Sequence, residues 1–358
     1  MGLLLAVALA VASAQLPAAT EAAATERATA PALTTAQLAG QHMVFAYDGL
    51  TPPQGLRKRI ARGEAAGVIL FARNVRSAAQ VRGVVRSLQG IPRPRGLTAA
   101  LLVMVDQEGG PVRRIPGGPA RAAGDVDNAA QARDDGRTAA SVLRGAGVNM
   151  DLAPVSDVAR AGAELERERR SYGRSAPTVS ARAAAFAAGL HAGGVRATAK
   201  HFPGFGAAKL NTDDAPVRIG ASLATLRAVD ERPFGALIAK GIDAVMVSTA
   251  VYPALDARPA AFSSRWVTTE LRTRLGYRGV AMTDDLATPA VRASGSIAQR
   301  AVLAVRAGID LPLFASSYRA SAQAAEGLLA AARRGDLSRA ALTAQARRVL
   351  ALRAKLAR

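Results

Sequence analysis

Short apolar runs alternate with longer amphipathic stretches along the chain from about residue 38. Eight runs stand out: His42–Tyr47, Gly67–Phe71, Leu101–Val105, Val148–Pro154, Val195–His201, Ala244–Thr249, Gly279–Thr283 and Ile309–Phe314. Runs this short and this continuously apolar are the pattern of strands buried on both faces, as in a parallel sheet covered by helices. The stretches between them carry helical spacing. Ser77 can cap a helix in which Val81, Val84, Val85 and Leu88 share one face. Ser338, after Gly335 and Asp336, opens a last helix with Leu342, Val349, Leu350 and Leu352. Eight such units in about 320 residues predict an α/β fold, a single-domain (β/α)8 barrel. An open doubly wound sheet shares the same periodicity, because hydrophobic spacing does not report closure.

Ahead of the first strand, residues 3–14 (LLLAVALAVASA) are apolar but fall short of the roughly 20 residues that span a bilayer. They end in Ala12-Ser13-Ala14, so residues 1–14 read as a signal peptide that lacks a basic leading segment. Residues 15–35, rich in Ala, Thr and Pro, read as a linker, and 36–358 as the barrel domain, folding from near Leu38. A secreted or envelope-associated protein without stable membrane insertion is expected.

Composition removes several chemistries. With no Cys and 3 His, the chain has no disulfide framework and no thiolate site or nucleophile, and neither metal nor other cofactor is expected. Lys and Arg number 47 against 27 Asp and Glu, a net charge of +20 that invites an anionic partner. The arginines are scattered, however, and aromatics are 4%, so nucleic acid is not expected. An Ala/Arg-rich coding bias is the favoured reading of the charge.

In a barrel, chemistry belongs at the C-terminal strand ends. The third run is followed by Asp106-Gln107-Glu108-Gly109-Gly110-Pro111-Val112-Arg113-Arg114, the fifth carries Lys200-His201-Phe202-Pro203-Gly204-Phe205-Gly206, and the seventh leads into Asp284-Asp285-Leu286. With Gly67–Phe71 plus Arg73-Asn74, VDQEGG at 105–110, NMDLAPVSDV at 149–158, RSYG at 170–173, KHFPG at 200–204 and LGYRGVAMTDDL at 275–286, the chain resembles family 3 glycoside hydrolases of the single-domain β-N-acetylglucosaminidase type. The resemblance covers nearly everything from residue 38.

The resemblance implies that Asp284 is the nucleophile of a retaining glycosidase, attacking the anomeric carbon to form a glycosyl-enzyme. It implies that Asp106, Arg114, Arg170, Lys200 and His201 hydrogen-bond the sugar in the first subsite. Asp285, alternating with Asp284 along a strand, should point elsewhere and serve structural hydrogen bonds. Glu108, beside Gly109-Gly110, reads as a loop-fixing residue. The bland alternative for Asp284 is a helix cap.

One departure matters. The family's usual acid is a histidine in a pattern KHFPGHG followed shortly by Asp-Ser-His. Here the loop reads KHFPGFGAAKLNTDDAP: Phe205 replaces the first histidine, and Asn211-Thr212-Asp213 stands where Asp-Ser-His would fall. An unperturbed Asp, near 3.9, is almost fully ionised at neutral pH, so Asp213 needs burial or a neighbouring charge from Asp214 or Asp284 to serve as acid. Asn211 can orient a carboxyl by hydrogen bonding. Asp213 and Asp214 also read simply as turn residues before Pro216. Two functions follow. One is a retaining exo-β-N-acetylhexosaminidase with Asp284 as nucleophile and Asp213, or else Asp214, as acid. It would act as a monomer on GlcNAc-containing oligosaccharides or muropeptides. The other is a sugar-binding protein that has lost most turnover. No residue separates hydrolysis from phosphorolysis.

Overall fold

The computed structural model describes residues 32–356; the expected signal peptide and residues 15–31 of the expected linker lie outside the described residues. The first described element is a helix, Thr35–Gly40, closed by a reciprocal box: the Thr34 side chain accepts from Gln37 N, and the Gln37 side chain accepts from Thr34 N. This helix begins ahead of Leu38, because Thr34-x-x-Gln37 satisfies two backbone donors that would otherwise be orphaned.

All eight apolar runs contain strands. They are β1 (Val44–Phe45), β2 (Gly67–Ile69), β3 (Leu102–Val105), β4 (Met150–Asp151), β5 (Arg196–Phe202), β6 (Ala244–Val247), β7 (Val280–Asp285) and β8 (Leu311–Phe314). Every neighbouring pair in the barrel is parallel, with register fixed by pairs such as Gly67–Leu102, Met150–Arg196 and Val247–Thr283. The sheet closes where Val44 pairs Leu313 and Phe45 pairs Phe314, which excludes the open doubly wound alternative.

Closure explains the apolar runs. One side of each strand faces an inner core that includes Val44, Ile69, Met104, Met150, Met246 and Met282, while the other, through residues such as Phe45, Val68, Val103 and Val245, faces the helices. Ser77 caps Ala78–Gln89 by accepting from Gln80 N at 3.1 Å, with Val81, Val85 and Leu88 buried and Val84 half-buried. Ser338 likewise caps Arg339–Ala354, and Val349 and Leu352 of that helix join the inner core.

Past β3, Gln107–Gly109 and Val112–Arg113 form a two-stranded hairpin. Gly109 and Gly110 turn it at φ 106° and 54°, and a Cβ on Gly110 would lie 2.5 Å from the Ala122 methyl, so the turn excludes any side chain. This rigid hairpin roots Asp106 and Glu108 beside the ends of β4 and β5.

Candidate active site

The C-terminal strand ends open into a cavity of about 810 Å³, and all seven predicted site residues line it: Asp106, Arg114, Arg170, Lys200, His201, Asp213 and Asp284. Its volume lies in the upper part of the range of about 300–1,000 Å³ usual for ligand sites.

Its floor is a ladder of charge. Lys200 Nζ lies 2.6 Å from Asp106 Oδ1 and 2.6 Å from Glu108 Oε1. Arg170 donates to Glu108 through two parallel bonds of 2.8 Å and to Glu168 at 3.0 Å. Burial alone would raise Glu108, but Arg170 and Lys200 outweigh it and hold the carboxyl well below the ordinary range. Burial would likewise strip Lys200 of its proton, and the charges of Asp106 and Glu108 reverse that, holding the ammonium above its usual value. Glu108 does fix the loop, as expected, but through ion pairs more than through the adjoining glycines. Arg114 is less engaged: its Nε sits 4.0 Å from Asp106 and, among the described residues, is buried without a hydrogen-bond partner, while the side chain borders the cavity.

Asp284 closes the exposed end of β7, half-buried, and accepts from the Asp285 backbone N–H at 2.9 Å. It caps no helix, since the following helices open at Thr288 and Ser296. Asp285 serves the backbone, as expected: its Oδ1 accepts from Ala287 N at 2.8 Å and Ala315 N at 2.9 Å, tying the end of β7 to the end of β8. It does not turn fully away, because it also borders the cavity, and burial pushes it up to about 6.

Asp213 faces Asp284 from the loop after β5. Asn211 shapes this turn: its backbone oxygen accepts from Asp214 N and Ala215 N at 3.2 Å, and its side-chain oxygen accepts from Asp213 N at 3.0 Å. Asn211 thus orients the Asp213 backbone, not the carboxyl as expected. Asp213 is exposed at the mouth, yet the protein packed around it and then the Asp284 charge push its carboxyl up to about 6, against the opposing pull of His201 and Arg170. Asp214 is absent from the cavity lining.

Residues 34–352 match the glycosyl hydrolase family 3 N terminal domain. The chain belongs to glycosyl hydrolase family 3. This family 3 chain is 40% identical over 341 residues to an uncharacterized secreted glycosyl hydrolase of Arthroderma benhamiae, covering 92% of this chain and 96% of that one. It is 34% identical to a beta-hexosaminidase of Nitrosomonas eutropha over 74% of this chain and 78% of the relative. Among solved structures, the family 3 beta-N-acetylglucosaminidase of Paenibacillus sp. FPU-7 superposes with a TM-score of 0.85 at 33% identity, over 91% of this chain; the match spans 63% of that longer chain. The beta-N-acetylhexosaminidase of Beutenbergia cavernae gives 0.82 at 34% identity, over 90% of this chain and 99% of the other.

Within this family 3 hydrolase, Asp157 is a further residue that borders His201. Its fully buried carboxylate accepts from His201 Nδ1 at 2.8 Å, His201 N at 3.0 Å and Phe205 N at 2.6 Å. The only signal was its place at the end of the 149–158 motif; its partners lie 44 and 48 residues further on. Phe205 is buried and packs its ring 5.8 Å from that of His201.

Proposed function

We propose that this family 3 hydrolase is a secreted, retaining exo-glycosidase that releases terminal β-linked N-acetylglucosamine from cell-wall or chitin-derived saccharides, working as a monomer. The β-hexosaminidase relatives support the sugar, and the relative described as secreted, with the apolar run at residues 3–14, supports the location. In this reading an Asp284 oxygen attacks C1 while the C1–oxygen bond to the leaving group breaks, and the Asp213 proton passes to the departing oxygen. Water then attacks C1, gives its proton to Asp213 and frees Asp284. Asp106, Arg114, Arg170, Lys200 and His201 hold the sugar by its hydroxyls.

The observation that carries this reading is the pairing of two carboxyls across one cavity, with Asp213 raised to about 6 partly by the charge of Asp284. Two acidic groups whose environments differ in this way suit an acid and a nucleophile. The exposure of Asp213, on a loop without the family's histidine, favours the second reading, a sugar-binding protein with little turnover.

A fluorosugar that traps the glycosyl-enzyme, compared with turnover of an aryl glycoside and of a natural disaccharide, separates them. Labelling of Asp284 is expected, together with an Asp213→Asn variant that is slowed on the disaccharide and spared on the aryl substrate, whose leaving group needs no proton. Absence of labelling, or an Asp284→Asn variant as fast as wild type, would sink the enzymatic reading. Labelling with no disaccharide turnover would support the binding protein. Adding inorganic phosphate to the disaccharide assay separates phosphorolysis from hydrolysis by the product formed.

A further inference from the structure

We propose that Asp157 is a positioning residue that sets the tautomer of His201, so that the imidazole offers the lone pair of Nε2, not an N–H, to a hydroxyl of the bound sugar. This rests on the reading of the cavity as the sugar site. As a carboxylate, Asp157 presents only lone pairs, and each oxygen is committed. Oδ1 accepts from Phe205 N at 2.6 Å and His201 N at 3.1 Å. Oδ2 accepts from His201 N at 3.0 Å and Nδ1 at 2.8 Å. The Nδ1 contact is made only if Nδ1 carries the proton, which in a neutral ring leaves Nε2 unprotonated. Among the described residues that nitrogen has no partner and, unlike Nε2 of His42, is not sealed from solvent; with His201 lining the cavity, it opens to the ligand.

On the cavity floor around His201 the other groups are cations or carboxylates paired with them. Lys200, Arg114 and Arg170 are donors only, while Asp106 and Glu108 already receive Lys200. A sugar hydroxyl that accepts from one of these cations must still pass its own proton to an acceptor, and His201 supplies one. The same carboxylate grips Phe205, so the setting of the ring is tied to the start of the loop that carries Asp213.

The chain's three histidines make the claim measurable by nitrogen NMR of the imidazoles. His42 Nδ1 meets the Asp310 carbonyl at 2.9 Å and His191 Nε2 meets the Asp243 carboxylate at 2.6 Å, so the two supply references for the opposite tautomers. In wild type, titrated to about pH 9, well above the ordinary histidine value of about 6.5, His201 should show the Nδ1–H form. Asp157→Asn is isosteric: keeping its oxygen on Phe205 N turns its NH₂ toward Nδ1, which must then accept. The variant should show Nε2–H, with KM for an aryl glycoside raised about tenfold and kcat changed less than about threefold.

A wild-type His201 with Nε2–H, or one still doubly protonated at about pH 9, would overturn the proposal without any variant. Inversion of the tautomer with KM unmoved would also overturn it, if Asp284 still takes the fluorosugar label. Failure of that label in wild type would instead remove the reading on which it rests.

Discussion

In the proposed mechanism Asp213 has to carry a proton that an ordinary aspartate surrenders, and its setting dictates when it can. A general acid works only while protonated, so with the carboxyl at about 6, turnover of a natural disaccharide should be sustained below that pH and fall as pH rises through it. The limb should be missing for an aryl glycoside and for Asp213→Asn, which pH profiles of kcat/KM would reveal. Glu108 acts at the same scale by different means. Glu108→Gln leaves Lys200 and Arg170 with one buried negative charge fewer, and breaking such a pair costs about 3–5 kcal/mol. At about 2–4 °C per kcal/mol for a large domain, melting should fall by roughly 6–20 °C. The sign with pH follows from linkage. The folded Glu108 is depressed, so its stabilisation is complete above the unfolded value of about 4.3 and is lost as pH falls below it. Thermal melts of wild type and variant should therefore differ most near neutrality and converge in acid.

Two helices show how elements are brought close enough to support this floor. Ala129–Gly145 and Ala176–Ala192 meet backbone to backbone, where a Cβ on Gly136 would fall 2.2 Å from the Phe186 carbonyl oxygen and one on Gly189 would fall 2.2 Å from that of Arg133. Alanine is the better helix former by about 1 kcal/mol, yet the overlap is with rigid backbone and must part the pair, at a cost of about 1–3 kcal/mol. Gly189→Ala should therefore lower the denaturant midpoint, and a gain in stability would show that the helices do not touch as described. No local pattern announces this contact, because it depends on which residues of distant segments meet. The strands are legible for the opposite reason. Burial on both faces writes itself into contiguous residues such as Leu102–Val105 and Ala244–Val247. That Asp106, Lys200 and Asp284 would share one cavity was legible because a barrel gathers its C-terminal strand ends on one face. Asp157 could not, since its meaning lies in partners brought to it by the pairing of β4 and β5. The opening helix hides in Ala/Thr-rich sequence whose only structural cue is the Thr34-x-x-Gln37 box.

At the scale of the whole molecule, the two ends of the barrel are built for different tasks. At the end opposite the cavity, fully buried Arg353 donates to Ala99 O at 2.6 Å and Ala100 O at 3.0 Å, and Asp310 receives Arg272 and Arg348 at 2.7 Å each, pinning the last helix. The end that holds the cavity stays open. Around both, the chain carries a net +20, and residues 1–31 contribute only Glu21, Glu26 and Arg27, so the excess belongs to the barrel. A field of that size accelerates encounter with anionic substrates and is screened over about 10 Å at 0.1 M salt and about 3 Å at 1 M. If the arginines serve capture of carboxylate-bearing wall fragments, kcat/KM on such fragments should fall at least about tenfold between low and high salt. A neutral chito-oligosaccharide should change less than about twofold, since contacts inside the cavity are short and shielded from bulk ions. Parallel loss on both substrates would point to an effect of salt on the site itself. Constancy on both would leave the arginine excess as a property of composition with no part in choosing the substrate.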